Sequence, residues 1–261
     1  MFNLIKADIY RILRGKALWV TFGLLLTHSV FVGITGAIGT VGISTEETFE
    51  IAEMVAEVTS GSSIQLGNMS TGDLLFYFIL PIIVMVVSVD FSNGAIRNVL
   101  SRGVSRVEYY LSKLLLAMLL SSFLMLLFLT MPMIVGTVFH GFGNVFETYS
   151  YFRIVLTQLP VYYAVVSIGT FIALTLKKTA VLNAVYIPMF IVAQIILSII
   201  MYNSNSFDFL ANYELGLLLS KYVGVEVITN SNILSTFIYT ICVIIGTTGL
   251  GIFLFNKSEI K

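Results

Sequence analysis

Long apolar runs alternate with shorter polar segments along the whole chain. A helix needs about 20 residues to cross a hydrocarbon core about 30 Å thick. Runs of that order cover residues 17–38, 73–91, 111–139, 153–176, 180–201 and 233–255. The pattern therefore predicts an all-α polytopic membrane protein, with six transmembrane helices in one transmembrane domain over residues 1–261.

Composition supports this class. The 261 residues are 57% hydrophobic and only 11% charged, and the mean hydropathy is +0.97. A soluble globular domain carries about 25% charged residues, so this class is excluded. The one cysteine, Cys242, allows no disulfide within the chain and no cysteine-based metal cluster, and we expect no metal site.

Charge placement predicts the orientation of the spans. The chain has 14 Lys and Arg residues, and all except Arg153 and Lys221 fall in segments that the six spans place on one side. Basic residues concentrate on the cytoplasmic side of membrane proteins. We therefore expect both termini to be cytoplasmic.

The N-terminal segment, residues 1–16, precedes the first span. Ile5, Ile9 and Ile12 share one helical face, and the basic residues lie elsewhere. This periodicity favours a helix lying in the cytoplasmic interface over a simple basic flank to the first span.

Two longer segments connect spans on the opposite side. Residues 39–72 are acidic and contain a capping box of Ser44 and Glu47, which predicts a short helix in an extracytoplasmic loop. Residues 202–232 begin polar and then become apolar. Their pattern fits either a second outer helix or a segment that dips back into the membrane.

Residues 90–113 separate the second and third spans. Placing their four Lys and Arg residues at mid-bilayer would cost on the order of 10 kcal/mol, so the stretch lies outside the hydrocarbon. Ile96, Val99 and Leu100 recur at helical spacing between Gly94 and Gly103. We predict a short amphipathic helix, a glycine break, and then the start of the third span.

This stretch resembles the first cytoplasmic loop of ABC-2-type transporter permeases. There, an acidic residue is followed by a glycine, a basic residue, a run close to LLSRPVSR and a lysine. The corresponding positions here are Asp90, Gly94, Arg97, residues 99–106 (VLSRGVSR) and Lys113. Asp90 replaces the commoner Glu and Ala95 a frequent Thr, while the layout of spans matches over the whole chain.

The resemblance implies that residues 92–110 hold a coupling helix that seats in a groove of an ATPase subunit. The residues implied in ATPase coupling are Asp90, Gly94, Arg97, Leu100, Ser101, Arg102, Ser105 and Arg106. The alternative is that the arginines only follow the positive-inside rule and bind lipid phosphate. We expect Asp90 to pair with a nearby basic residue such as Arg97, or to cap the coupling helix.

The implied protein is a non-enzymatic permease subunit of an ATP-driven exporter in the bacterial plasma membrane, similar to small peptide or antibiotic exporters. Its implied partners are two ATPase subunits, which would bind the ATP and Mg, a second permease copy or paralogue, and membrane lipids. Spans two and five would line the dimer axis, and the resemblance favours a re-entrant segment at 202–232. The sequence contains no GxxxxGK[ST] motif, so we expect no cofactor on this chain, and no nucleic-acid partner.

Cargo is harder to predict from these residues. Apolar spans suit an amphipathic or hydrophobic peptide, antibiotic or toxin, and the acidic outer loop would suit a cationic one. His28, Asn183 and Gln194 are polar residues within spans, so each either lines a translocation path or hydrogen-bonds a neighbouring helix. Two other classes remain: an ion- or proton-coupled secondary transporter, and a non-transporting membrane sensor subunit.

Overall fold

The structure is a computed structural model that describes residues 2–36, 60–143, 148–203, 213–221 and 230–258. Regular structure in these ranges is helical throughout, and no strand occurs in them. The helix predicted from Ser44 and Glu47 lies outside the described residues.

Eleven α-helices and one π-helical segment can be followed along these ranges. In chain order they are α1 Phe2–Arg14, α2 Lys16–Thr35, α3 Gly61–Ser70, α4 Leu74–Ile83, the π segment Val84–Ser88, α5 Val89–Ser92, α6 Ala95–Ser101, α7 Arg106–His140, α8 Thr148–Leu176, α9 Thr179–Asn203, α10 Leu215–Lys221 and α11 Asn230–Lys257.

Six helical stretches are long and apolar enough to cross a membrane, which confirms the predicted number. Numbered as spans 1 to 6, they are Lys16–Thr35, Leu74–Ser92, Arg106–His140, Phe152–Leu176, Thr179–Leu197 and Ile233–Lys257. We call the end of the bundle that carries α1, α6, residues 177–178 and Lys257 the basic end.

Span 3 is the central helix of the bundle. It packs against spans 1, 2 and 4 and against α1 and α3, and span 4 in turn packs along span 6. The core between them is built from fully buried side chains such as Leu25, Phe76, Met125 and Phe128. Spans 5 and 6 lie at the periphery and present mostly exposed apolar faces.

Helix α3 is a buried helix that the hydrophobic pattern does not predict. All ten of its residues are buried, although seven of them are polar or glycine. Asn68 explains why this is tolerated. Pro132 has no N–H, so it cannot make the usual helical bond to the carbonyl of Phe128. The side-chain amide of Asn68 donates to that carbonyl at 2.8 Å.

Span 2 is not a regular helix. Pro81 lies inside α4, and the π segment Val84–Ser88 follows it directly. Single π turns inside α-helices are rare, and those that occur are often found at functional sites. Here the π segment is followed at once by α5, which carries Asp90.

Candidate functional site

Charged side chains meet at the basic end, where α1 crosses the ends of spans 2 and 3. The members of this ionic cluster are Asp8, Arg11, Asp90, Tyr109 and Lys113. Lys113 Nζ lies 2.6 Å from a carboxylate oxygen of Asp8 and 2.6 Å from one of Asp90. Arg11 pairs with Asp90 and lies 3.1 Å from Asp8. The Tyr109 hydroxyl donates to Asp90 at 2.8 Å.

Local helix geometry brings these groups together. Asp8 and Arg11 are three residues apart, and Tyr109 and Lys113 are four apart, so each pair shares one helix face. Asp90 lies in the last turn of span 2, beside the first turns of span 3. The cluster therefore joins three elements through side chains that each element already presents on one side.

Burial makes the cluster a strong structural constraint. Lys113 is fully buried, and Asp90 and Asp8 are nearly so. Two carboxylates balance two cations, and removing one partner of a buried pair typically costs about 3–5 kcal/mol because the other charge stays buried without compensation. A shift of α1, span 2 or span 3 relative to the others would break these pairs, so the three should move together.

The cluster also contacts the irregular part of span 2. An Arg11 amino group donates to the carbonyl of Met85, within the π segment, at 3.4 Å. Arg11 thus contacts span 2 both at Asp90 and one turn deeper.

Helix α6 lies in the predicted coupling region. Ile96 is buried, and Val99 and Leu100 pack against the core. Arg97 and Ser101 lie on the opposite, exposed face. This face is available for a partner, and the apolar face fixes the helix to the bundle.

Glycines with positive φ delimit α6. Gly94 precedes it with φ 65° and Gly103 follows it with φ 88°, a conformation that strains any residue with a Cβ. Ser105 then caps the next helix, because its hydroxyl accepts a hydrogen bond from the N–H of Glu108 at 3.1 Å. Arg102 is exposed between α6 and this cap.

Arg106 has a partner inside the chain. One of its amino groups donates to the carbonyls of Phe255, Asn256 and Ser258 at 2.8–2.9 Å. Phe255 and Asn256 lie in the last turn of α11 and Ser258 follows it, and a cation is favourable at a helix C-terminus. Arg106 therefore joins the start of span 3 to the end of span 6.

The expected pairing of Asp90 with Arg97 was wrong, and so was the alternative that Asp90 caps α6, because the N-cap position is Gly94 and no side chain caps it. Asp90 pairs with Arg11 and Lys113, whereas Arg97 lies on the exposed face of α6. The physical reason is that α5 ends span 2 with Asp90 turned towards the bundle, where α1 and span 3 supply cations.

The three candidate path residues do not form one site. His28 stacks on Phe128, with ring centroids 5.6 Å apart. Asn183 is exposed on span 5. Gln194 is buried near the other end of the bundle, where it contacts Gly216 of α10. Within the described ranges, no group of acidic, histidine or cysteine side chains is arranged to hold a metal ion.

Sequence reasoning missed Asp8, Arg11 and Tyr109 as members of the cluster. The helical spacings of Asp8 with Arg11 and of Tyr109 with Lys113 were visible signals. What the sequence could not supply is that α1 folds back against the ends of spans 2 and 3.

The model of the family described as "ABC-2 family transporter protein" matches residues 4–195, well over half of the chain. The match includes the ionic cluster, α6 and spans 1 to 4. No curated protein matches the chain significantly. With six apolar spans and this match, the chain belongs to the ABC-2 family of transporter proteins and is a multi-pass, permease-type membrane component.

Proposed function

We propose that the chain is the permease subunit of an ATP-driven ABC exporter, and that α6 is its coupling helix. The observation that carries this proposal is the two-sided character of α6. Its apolar side is anchored in the core by Ile96, while Arg97, Ser101 and Arg102 are exposed. An ATPase groove with acidic groups would complement this face.

The ionic cluster would pass movement on from α6. Asp90 lies four residues before Gly94, and its carboxylate is held by α1 and span 3. A push on α6 would therefore reach spans 2 and 3 and α1 as one unit. The π segment beside Asp90 is the place in span 2 where the backbone hydrogen bonds of the helix could rearrange most easily.

Two ATPase subunits would dock beneath two permeases, with ATP and Mg bound on the ATPases. The partner permease, a second copy or a paralogue, would pack against span 5, whose apolar residues Val192, Ile195 and Ile196 are exposed. Span 2 is mostly enclosed within the protomer, so it offers less surface to a dimer. The cargo would be an amphipathic or hydrophobic molecule moved outwards across the bacterial plasma membrane by alternating access.

Co-purification tests the docking role. The chain is co-expressed with a candidate ABC ATPase, and the double variant Arg97→Glu, Arg102→Glu is compared with the unchanged chain. We expect the ATPase retained per permease to fall about tenfold, because reversing charges at an interface sets like charges against each other.

A matched control carries the same change of charge elsewhere on the basic end. Lys6 of α1 and Lys16 at the start of α2 are exposed, so Lys6→Glu, Lys16→Glu alters topology signals and lipid contacts to a similar degree. The control should retain the ATPase. Equal loss in both double variants would assign the arginines to topology or lipid alone, and full retention with normal ATPase stimulation in the α6 variant would refute docking.

A further inference from the structure

A pocket of about 220 Å³ lies between spans 5 and 6 and the segment that leads into α10. Its walls include Met189, Phe190 and Ala193 of span 5, Tyr213 and Glu214 before α10, and Tyr239 of span 6. Tyr213 is 52% exposed, so the pocket is open to its surroundings. It combines aromatic rings with a single carboxylate.

Hydrogen bonds hold this lining in place before any ligand is present. The Tyr239 hydroxyl donates to the carbonyl of Tyr213 at 2.7 Å, and the two rings meet edge to face at 5.4 Å. The N–H of Leu217 donates to Glu214 Oε2 at 2.5 Å. The carboxylate and both rings are therefore fixed relative to one another.

Negative charge near the pocket has no counter-charge among the side chains that the structure describes. A second acid, Asp73, lies just before span 2, where Gln194 hydrogen-bonds it and the charge of Glu214 acts on it. Burial first, and the charge of Glu214 second, raise the pKa of Asp73 to about 6 against the lowering effect of the hydrogen bond with Gln194. Burial also raises the pKa of Glu214, although the N–H groups of Leu217 and Gly216 lower it. Among the residues whose side chains the structure describes, no cation forms an ion pair with either acid.

The pocket lies at membrane depth. A helix rises about 1.5 Å per residue. Met189 therefore lies about 15 Å along span 5 from its first residue, Thr179, and Tyr239 lies about 9 Å along span 6 from its first residue, Ile233. An ionisable group at this depth is costly and is usually retained for a function. Capping α10 explains the backbone bond to Glu214, but a neutral side chain could accept that bond equally well.

We propose that this pocket binds the cationic head, a primary ammonium or guanidinium group, of an amphipathic molecule. Tyr213, Tyr239 and Phe190 offer ring faces and edges to a cation and to the carbon chain beside it, and Glu214 supplies the opposite charge. Ligand pockets for whole drug-sized molecules occupy about 300–1,000 Å³. A volume of about 220 Å³ therefore suits one head group or one side chain of a larger molecule.

This inference extends the proposed function, since the bound molecule would be cargo, but binding itself needs no ATPase. The test therefore uses the full chain alone, in nanodiscs of zwitterionic lipid without nucleotide. Cys242 is replaced by Ser, and Ala193→Cys places a single reactive thiol in the pocket wall. The rate of its modification by a small neutral maleimide reports occupancy.

The probes are octylammonium and octanol, which share a chain and differ in charge. We expect octylammonium to slow modification at a concentration about tenfold lower than octanol, which corresponds to about 1.4 kcal/mol. In Glu214→Gln the two probes should become equal, because the amide oxygen can still accept from Leu217 while the charge is gone. The matched variant Glu108→Gln, at the basic end, should keep the preference for octylammonium.

Without probe, the Ala193→Cys thiol should be modified at the same rate whether residue 214 is Glu or Gln, which shows that the pocket lining is intact. Met189→Cys gives a second reporter of occupancy. Equal effects of octylammonium and octanol on the unchanged protein would overturn the proposal. So would a preference for octylammonium that persists in Glu214→Gln, or no effect of either probe at either reporter. Failure of ATPase docking would leave all these results unchanged.

Discussion

Lys113 holds two carboxylates that belong to different elements, Asp8 of α1 and Asp90 at the end of span 2. It is fully buried, so its charge is tolerated only because both acids are close. The cluster illustrates how one residue can fix the relative position of three helices.

Lys113→Met should lower the free energy of unfolding by about 3–5 kcal/mol, because it leaves buried carboxylates with one counter-ion fewer. Denaturant unfolding of the protein in detergent measures this loss. Adding Asp90→Asn to the variant should recover part of it, since one excess charge is removed. Lys257→Met, at an exposed site over the ring of Phe253, should have little effect, and an equal loss in both lysine variants would contradict the assigned role of the cluster.

Helix α3 shows, at the scale of one element, where sequence patterns stop being informative. Its residues GSSIQLGNMS have neither apolar periodicity nor a hydrophobic run. Two of its polar side chains, Gln65 and Asn68, donate to carbonyls of span 3, and the carbonyl of Phe128 would otherwise lack a donor. That complementarity exists only after span 3 and α3 pack together.

Asn68→Ala should cost about 1–3 kcal/mol of stability, because it leaves the buried carbonyl of Phe128 without a donor. Pro132→Ala offers a specific rescue. Alanine restores a backbone N–H that can donate to this carbonyl, so the double variant should lose less stability than Asn68→Ala alone. Thermal unfolding in detergent measures all three variants.

Asn183→Ala removes an exposed asparagine and is the control for side-chain truncation. Strict additivity of the Asn68 and Pro132 changes would show that the two residues do not share the carbonyl.

Other elements were more accessible to sequence reasoning. The spans follow from long apolar runs, and α6 follows from Ile96, Val99 and Leu100 with a glycine on each side. The ion-pair partners of buried charges were harder to predict from the sequence. Asp90 has Arg97 nearby in sequence, but it pairs with Arg11, 79 positions away, because helix packing rather than sequence distance decides which cations meet a buried acid.

At the scale of the whole molecule, charge divides the bundle into two unlike ends. The basic end carries α1, α6 and the close of span 6, joined by the ionic cluster and by Arg106. The pocket with Glu214 and the buried helix α3 lie away from it. This division fits the proposed function, in which movement is received at one end and cargo is bound nearer the other. The proposal therefore requires the basic end to face the cytoplasm.

Single-cysteine labelling tests that orientation in intact cells. In a Cys242→Ser background, Ser101→Cys reports the exposed face of α6, and Phe142→Cys reports an exposed site at the other end, 52% accessible. A membrane-impermeant maleimide added outside should label Phe142→Cys and reach Ser101→Cys only after permeabilisation, because the positive-inside rule places the basic end in the cytoplasm. Labelling of Ser101→Cys from outside would place α6 beyond the reach of any cytoplasmic ATPase, and coupling through the ionic cluster could then not operate.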